Sequence, residues 1–262
     1  IKLLTALLDD ITKPLFSSLF FFPPLQQDLG KWSPWGNYLK RREEIDTLIY
    51  AEISERRASN GHFGEDILSL LMSARDEDGE KMTDKELRDQ LVSLLLLGYE
   101  TTSGVLAWLF QMIHSHPEVK DKLINELQSV DNLDNNSPEK IVQRPYLSAV
   151  CSETMRLHPI ALICTPRMAV ETVEVAGENF PKGTVLVPCI YLAHRQQTTY
   201  QQPDKFIPER FLEQKFSAFE YLPFGGGYRG CIGSAFAVYE MKLILATILQ
   251  KFKLELVDKK PV

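Results

Sequence analysis

The stretch Phe224-Gly225-Gly226-Gly227-Tyr228-Arg229-Gly230-Cys231-Ile232-Gly233 decides how this chain is read. Glycine lets a backbone enter positive φ and pass close to a flat ligand. The apolar run from Gly233 to about Phe252 reads as a long final helix, so Cys231 falls just ahead of a helix N-terminus. There the helix dipole and free amides favour a thiolate, which is what a soft axial ligand must be. Arg229 can neutralise a nearby anion. The competing reading is a glycine turn that holds a buried structural cysteine, the commoner fate of a lone cysteine.

Spacing separates the two. Phe224, Gly227, Arg229, Cys231 and Gly233 fit the pattern Phe-x-x-Gly-x-Arg-x-Cys-x-Gly. Five fixed positions over a chain of this length match by chance about once in ten thousand. The chain therefore resembles the haem-thiolate cytochrome P450 family, whose haem-binding signature this is. The resemblance implies haem b as cofactor, Cys231 as the iron ligand, and Phe224, Gly227, Arg229 and Gly233 as haem-binding positions.

Further motifs carry the same resemblance. Glu153 and Arg156 stand three apart, so they can pair on one helix face. Alone, such a pair reads as a surface contact worth almost nothing. In the family this Glu-x-x-Arg joins a later arginine in a buried network, and Pro208-Glu209-Arg210-Phe211 implies Arg210 as that partner. Leu97-Gly98-Tyr99-Glu100-Thr101-Thr102 puts an acid and hydroxyls inside an apolar helix. Burying an acid is costly, and Gly with Thr weakens a helix, opening room for a small molecule or water. The plainer reading is a packing glycine with solvent-facing Glu and Thr. The resemblance implies Thr101 as the hydroxyl that helps protonate bound dioxygen and Glu100 as the relay acid. It also implies Arg167 as a haem-propionate ligand, with Arg229 as a second. Two departures stand out. Leu97 occupies a position that is small in the family and faces the haem, where a leucine would crowd the iron. Gln196-Gln197 follows His194-Arg195 where the family usually has Asp-Pro. The remaining histidines show no ligand spacing.

Around these motifs the 262 residues have ordinary globular composition, 44% apolar and 24% charged. A net charge of −6 disfavours a nucleic-acid partner. Cys151, Cys164, Cys189 and Cys231 form no CxxC pair, which fits a reducing intracellular compartment. No signal peptide is visible. The apolar segment from Leu15 to Leu25 is shorter than the roughly 20 residues a membrane span needs. The expected course is helices broken at Pro14, Pro23-Pro24 and Pro34, then an amphipathic helix from Tyr38 to Arg57. Leu39, Ile45, Leu48, Ile49 and Ile53 should share one face of it. A shorter helix follows within Gly61–Ala74. A Thr83–Glu86 capping box opens a helix running to about His114, with Leu91–Leu97 buried on most sides. Ser115-His116-Pro117-Glu118 opens another by a second capping box, Asp131–Ser137 is a polar loop, and Pro145–Leu157 is helical up to Pro159. Val170, Val173, Val175 and Val185–Ile190 read as strands, and 195–230 as irregular coil.

The expectation is a mainly α fragment of the cytochrome P450 fold, with a long central helix, a haem-binding coil and a small β region. It reads as a single partial domain over 1–262, cut at both ends. The wording is most similar to bacterial members of a cyanobacterial type. The implied activity is a cytoplasmic monooxygenase that inserts one atom of O2 into an apolar organic substrate. The implied electron donor is a ferredoxin or flavoprotein reductase. Leu94, Leu97, Ile160, Ala161, Leu162 and Ile163 are the expected substrate lining. Membrane contact is not readable. A peroxide-using relative and a truncated, non-catalytic haem-binding fragment remain alternatives.

Overall fold

The computed structural model describes residues 22–58, 66–128 and 137–257. The helix expected before Pro14, the break there, most of the Leu15–Leu25 segment and most of the 131–137 loop lie outside them. Two compact units meet in sequence at Leu97/Gly98, inside the longest helix.

In the first unit, 3-10 turns at Pro23–Leu25 and Gly30–Trp32 precede α1 (Pro34–Ala58). Pro34 opens α1 at a position where its missing N–H costs nothing. Asp66 then caps α2 (Ile67–Ser73), its carboxylate accepting the Ser69 N–H at 2.9 Å. The expected capping box opens α3 (Asp84–Ser115). Glu86 accepts the Thr83 N–H at 2.8 Å, and Thr83 Oγ1 accepts the Glu86 N–H at 3.3 Å.

Two burial expectations fail in this unit. Leu48 is exposed although Ile45 and Ile53 are buried. Leu95 and Leu97 are 44% and 69% exposed instead of buried. The cause is the size of the core: Ile53, Leu68, Met72 and Leu87 form it, with Ile49, Leu71, Met82 and Leu91 at its edge. One stripe of each helix is enough to line it, so the leucines beyond Leu91 lie outside the cluster.

In the second unit the rest of α3 is a core element. Val105, Leu109 and Ile113 pack with buried residues of α4 (Pro117–Gln128), α5 (Pro138–Val142) and α6 (Pro145–Leu157). By length and composition alone α3 could cross a membrane, but these three buried residues belong to the core. Ser115 is the last residue of α3, its hydroxyl accepting from Gln111 Nε2 at 3.2 Å, and His116 separates it from α4, so Ser115 is not the cap of α4 that the sequence suggests.

Beyond α6, β1 (Arg167–Met168), β2 (Val173–Val175), β3 (Glu178–Phe180) and β4 (Val185–Leu186) make two antiparallel pairs. Arg167 pairs with Leu186, and Val173 with Phe180. Ala176 and Gly177 turn the β2–β3 hairpin with φ of 53° and 85°, the positive values that a two-residue hairpin turn needs. The expected strand at Val185–Ile190 ends early. Ile190 instead starts α7 (Ile190–Ala193), which buries Ile190 itself. The coil that follows carries only α8 (Arg210–Glu213) and a 3-10 turn at Gly227–Arg229, before α9 (Ser234–Lys251) adds Met241, Leu245 and Ala246 to the core. The fold is mainly α with small sheets, as expected.

Candidate functional site

The site is built backwards from α6. Its apolar face enters the core, while Glu153 and Arg156 are fully buried. Two buried charges are tolerable only if every polar atom finds a partner. Arg156 donates through Nε and Nη2 to the two carboxylate oxygens of Glu153, at 2.7 and 2.9 Å. Its Nη1 donates to the His194 carbonyl at 2.7 Å and Nη2 also to that of Lys205 at 3.1 Å. Arg210 donates to Glu153 at 3.0 Å and to the Gln201 carbonyl at 3.0 Å, and the Ile207 N–H donates to the same carboxylate at 2.9 Å. Tyr200 lies under both guanidinium groups. The expected Glu153–Arg156–Arg210 network therefore exists, and it fastens residues 194–210 of the coil to α6.

Two further ties escaped the sequence reading. Glu126 of α4 accepts the N–H groups of Tyr146 and Leu147 at 2.7 and 2.9 Å, capping α6 from another helix. Glu209 accepts from Lys122 at 2.7 Å and from the Tyr146 hydroxyl at 3.1 Å. Burial works against the Glu209 carboxylate, yet the bond from Lys122 leads the contacts that hold it below its usual range.

The coil then reaches the cysteine loop through three consecutive anchors. The Tyr200 hydroxyl donates to the Glu220 carbonyl at 2.9 Å and the Tyr221 hydroxyl to the Ser152 carbonyl at 3.1 Å. The Leu222 N–H donates to His194 Nε2 at 2.9 Å. From there the backbone closes on itself. The Gly225 N–H donates to the Leu222 carbonyl and the Cys231 N–H to the Phe224 carbonyl, both at 2.9 Å. Phe224 packs against the core. Gly225 and Gly227 take φ of 69° and 64°, and open space surrounds a Cβ built on either one. Gly233 caps α9, with the Cys231 sulfur near it. Cys231 is exposed, and so is Ile232, at 92%.

A flat, apolar, anionic group with a metal at its centre fits these residues. A soft sulfur donor stands exposed on a loop whose glycines leave room beside the backbone. Exposed apolar side chains flank it, and Arg229 and Arg167 of β1 are exposed cations. Glu100 and Thr101 are exposed on α3, and Thr102, not Thr101, is the buried hydroxyl there. Gly98 is not the packing glycine: nothing lies within 4 Å of a Cβ built on it. Gly104 is, because its Cβ would meet Ile160 Cδ1 at 3.0 Å. A cleft of about 900 Å³ lined by Trp108, His114, His116 and His158, among others, includes none of the candidate residues.

A mainly helical chain that presents an exposed cysteine from a glycine loop, fastened from behind by a buried Glu–Arg–Arg network, has the architecture of a haem-thiolate protein. The family model for cytochrome P450 matches residues 1–262, and the chain belongs to that family. It is 39% identical over 221 residues to the Mycobacterium tuberculosis protein designated cytochrome P450 135B1, covering 84% of this chain and 45% of that protein. Cytochrome P450 138 of Mycobacterium bovis is 33% identical over 243 residues, covering 92% of this chain and 52% of that protein. The retinoic acid-bound structure of cyanobacterial CYP120A1 superposes with a TM-score of 0.78 at 28% identity, covering 94% of this chain and 56% of that one. The chain thus spans about half the length of the relatives it matches. Haem is the cofactor that membership of the family implies.

Proposed function

We propose that this chain is the haem-binding part of a haem-thiolate monooxygenase acting on an apolar organic substrate. The observation that carries the reading is the exposed Cys231 thiol on a glycine loop immediately ahead of α9. Cys231 ligates the iron. Phe224, Gly227 and Gly233 shape the cradle, and Arg167 and Arg229 offer cations to the two propionates. Bound haem would supply the redox chemistry, in which the substrate, O2, two electrons and two protons yield the oxygenated substrate and one water.

The chain's own residues do the rest. The Cys231 thiolate would hold the iron and lend it the electron density of a sulfur ligand. Thr101 holds a proton at its hydroxyl for delivery, and the Glu100 carboxylate replenishes it. Ile160, Leu162 and Ile163, which follow α6 and are 40%, 55% and 51% exposed, offer an apolar surface to a substrate. Residues 1–262 form part of one domain, a reading supported by a family match that runs unbroken through Leu97/Gly98. The electron donor is a ferredoxin or a flavoprotein reductase. Four free cysteines fit a cytoplasmic setting.

Difference spectroscopy of the reduced protein with carbon monoxide tests the reading. The parent should show the long-wavelength Soret band of thiolate-ligated haem, and Cys231→Ser should lose it. Variants of Cys151, Cys164 and Cys189 should keep it. A band that depends on another cysteine would sink the assignment. Thr101→Ala should keep the band and divert electrons to peroxide.

A further inference from the structure

His194 is fully buried, and its carbonyl already accepts from Arg156, yet its imidazole makes no bond to the Glu153 carboxylate. Its ring is held at both nitrogens. A backbone N–H can only donate, so the Leu222 amide fixes Nε2 as an acceptor without a proton. The proton is then on Nδ1, which donates to the Arg156 carbonyl at 3.2 Å. Tyr221 stacks on the ring with centroids 5.5 Å apart, and Tyr200 meets it edge-on. The ring therefore bridges the last turn of α6 to the residue where the cysteine loop begins. Leu222 accepts the Gly225 N–H through its own carbonyl, and Phe224 accepts that of Cys231. A displacement of Leu222 passes to Cys231 through two backbone turns.

We infer that His194 is a positioning residue: as the neutral Nδ1–H tautomer it tethers Leu222 to Arg156 and so holds the Cys231 loop in place for thiolate ligation. The inference rests on the reading that Cys231 binds haem iron. The charged and titratable groups around the ring are Arg156 and Arg195, both cationic, with Tyr200 and Tyr221. Burial, followed by the two arginines, pushes the imidazole down to about 4, while its bond to the Arg156 carbonyl opposes them. Protonation at Nε2 would turn the acceptor into a donor facing another donor.

The test uses three haem-loaded proteins: the parent, His194→Gln and His194→Phe. A glutamine amide can present an oxygen to the Leu222 N–H and does not titrate. Phenylalanine keeps the stacking but offers no acceptor. The readouts are the ratio of thiolate-type to displaced Soret bands in the carbon monoxide complex, followed from neutral to acid pH, and amide hydrogen exchange at Leu222. His194→Phe should shift the band ratio on the order of tenfold towards displaced haem and speed exchange at Leu222, because a buried N–H is left unmet. The parent should make the same shift as pH falls towards 4, and His194→Gln should stay nearer the neutral parent with a flat profile. If His194→Phe does not fold, the pH profiles of the parent and His194→Gln decide. A parent with the thiolate band whose ratio and profile match those of the variants overturns this inference alone. A parent without the thiolate band overturns the ligation reading and this inference together.

Discussion

The Glu153 network and the Cys231 loop lie in the same compact unit and solve opposite problems. Around Glu153 every charged group is buried and every contact runs between side chain and side chain or side chain and backbone. In the loop the ties are backbone to backbone, and Cys231 and Ile232 face outwards. Rigidity is placed behind the ligand surface, and the surface is left free to receive a group that brings its own bulk. A loop that must present a sulfur cannot bury itself, so its geometry is set by anchors at one edge.

That contrast makes unequal demands on mutation. The largest effect should come from Glu153→Ala, which strands Arg156 and Arg210 in a buried setting. Stability should fall by about 3–5 kcal/mol, read as a lowered melting temperature together with reduced haem content. A normal melt and full haem content would mean that the network is dispensable and the contrast false.

Acid comes next. His194 is neutral in the fold and its pKa falls from the ordinary 6.5 to about 4. Between those values the unfolded chain gains a proton that the folded chain refuses, so stability is lost as pH drops from about 6.5 to about 4. The loss should amount to roughly 2–3 kcal/mol. Chemical denaturation at stepped pH should show this slope in the parent and a shallower one in His194→Gln.

Glu126→Ala should cost about 1–2 kcal/mol, because two N–H groups at the start of α6 lose their acceptor while water can reach part of that turn. The midpoint of denaturation should move with the slope unchanged. Cys231→Ser should shift stability least, by no more than about 0.5 kcal/mol in haem-free protein, since the side chain is exposed. A large loss there would show that the loop bears structural weight.

What could be read in advance follows how locally each feature is encoded. The capping box at Thr83–Glu86, the start of α6 at Pro145 and its end before Pro159 are written within four residues of where they act. The Glu153–Arg156–Arg210 network was legible through resemblance, although Arg210 lies far along the chain from Glu153. The tethers were not. Glu126 meets Tyr146 across 20 positions and His194 meets Leu222 across 28, and neither pairing has a pattern in a single sequence. Burial misled for a different reason. An apolar run such as Leu91–Leu97 states what would be stable in a core, not how much core there is to enter. Leu48 failed on the same ground. Gly98 and Gly104 show the limit of composition: both lie within the unbroken α3, but only the structure reveals which of them has a neighbour.

Gly104 has a practical consequence. Ile160 Cδ1 sits 3.0 Å from where a Cβ would be, and Ile160 is itself 40% exposed, so its end can yield. Alanine at 104 should nudge that methyl by a few tenths of an ångström, and valine should force a change of rotamer. Ile160 leads directly into the apolar Leu162-Ile163 segment, so side-chain size at one half-buried helix position becomes a graded control over a surface several residues away. Enlarging residue 104 step by step would reshape that surface without altering any residue on it.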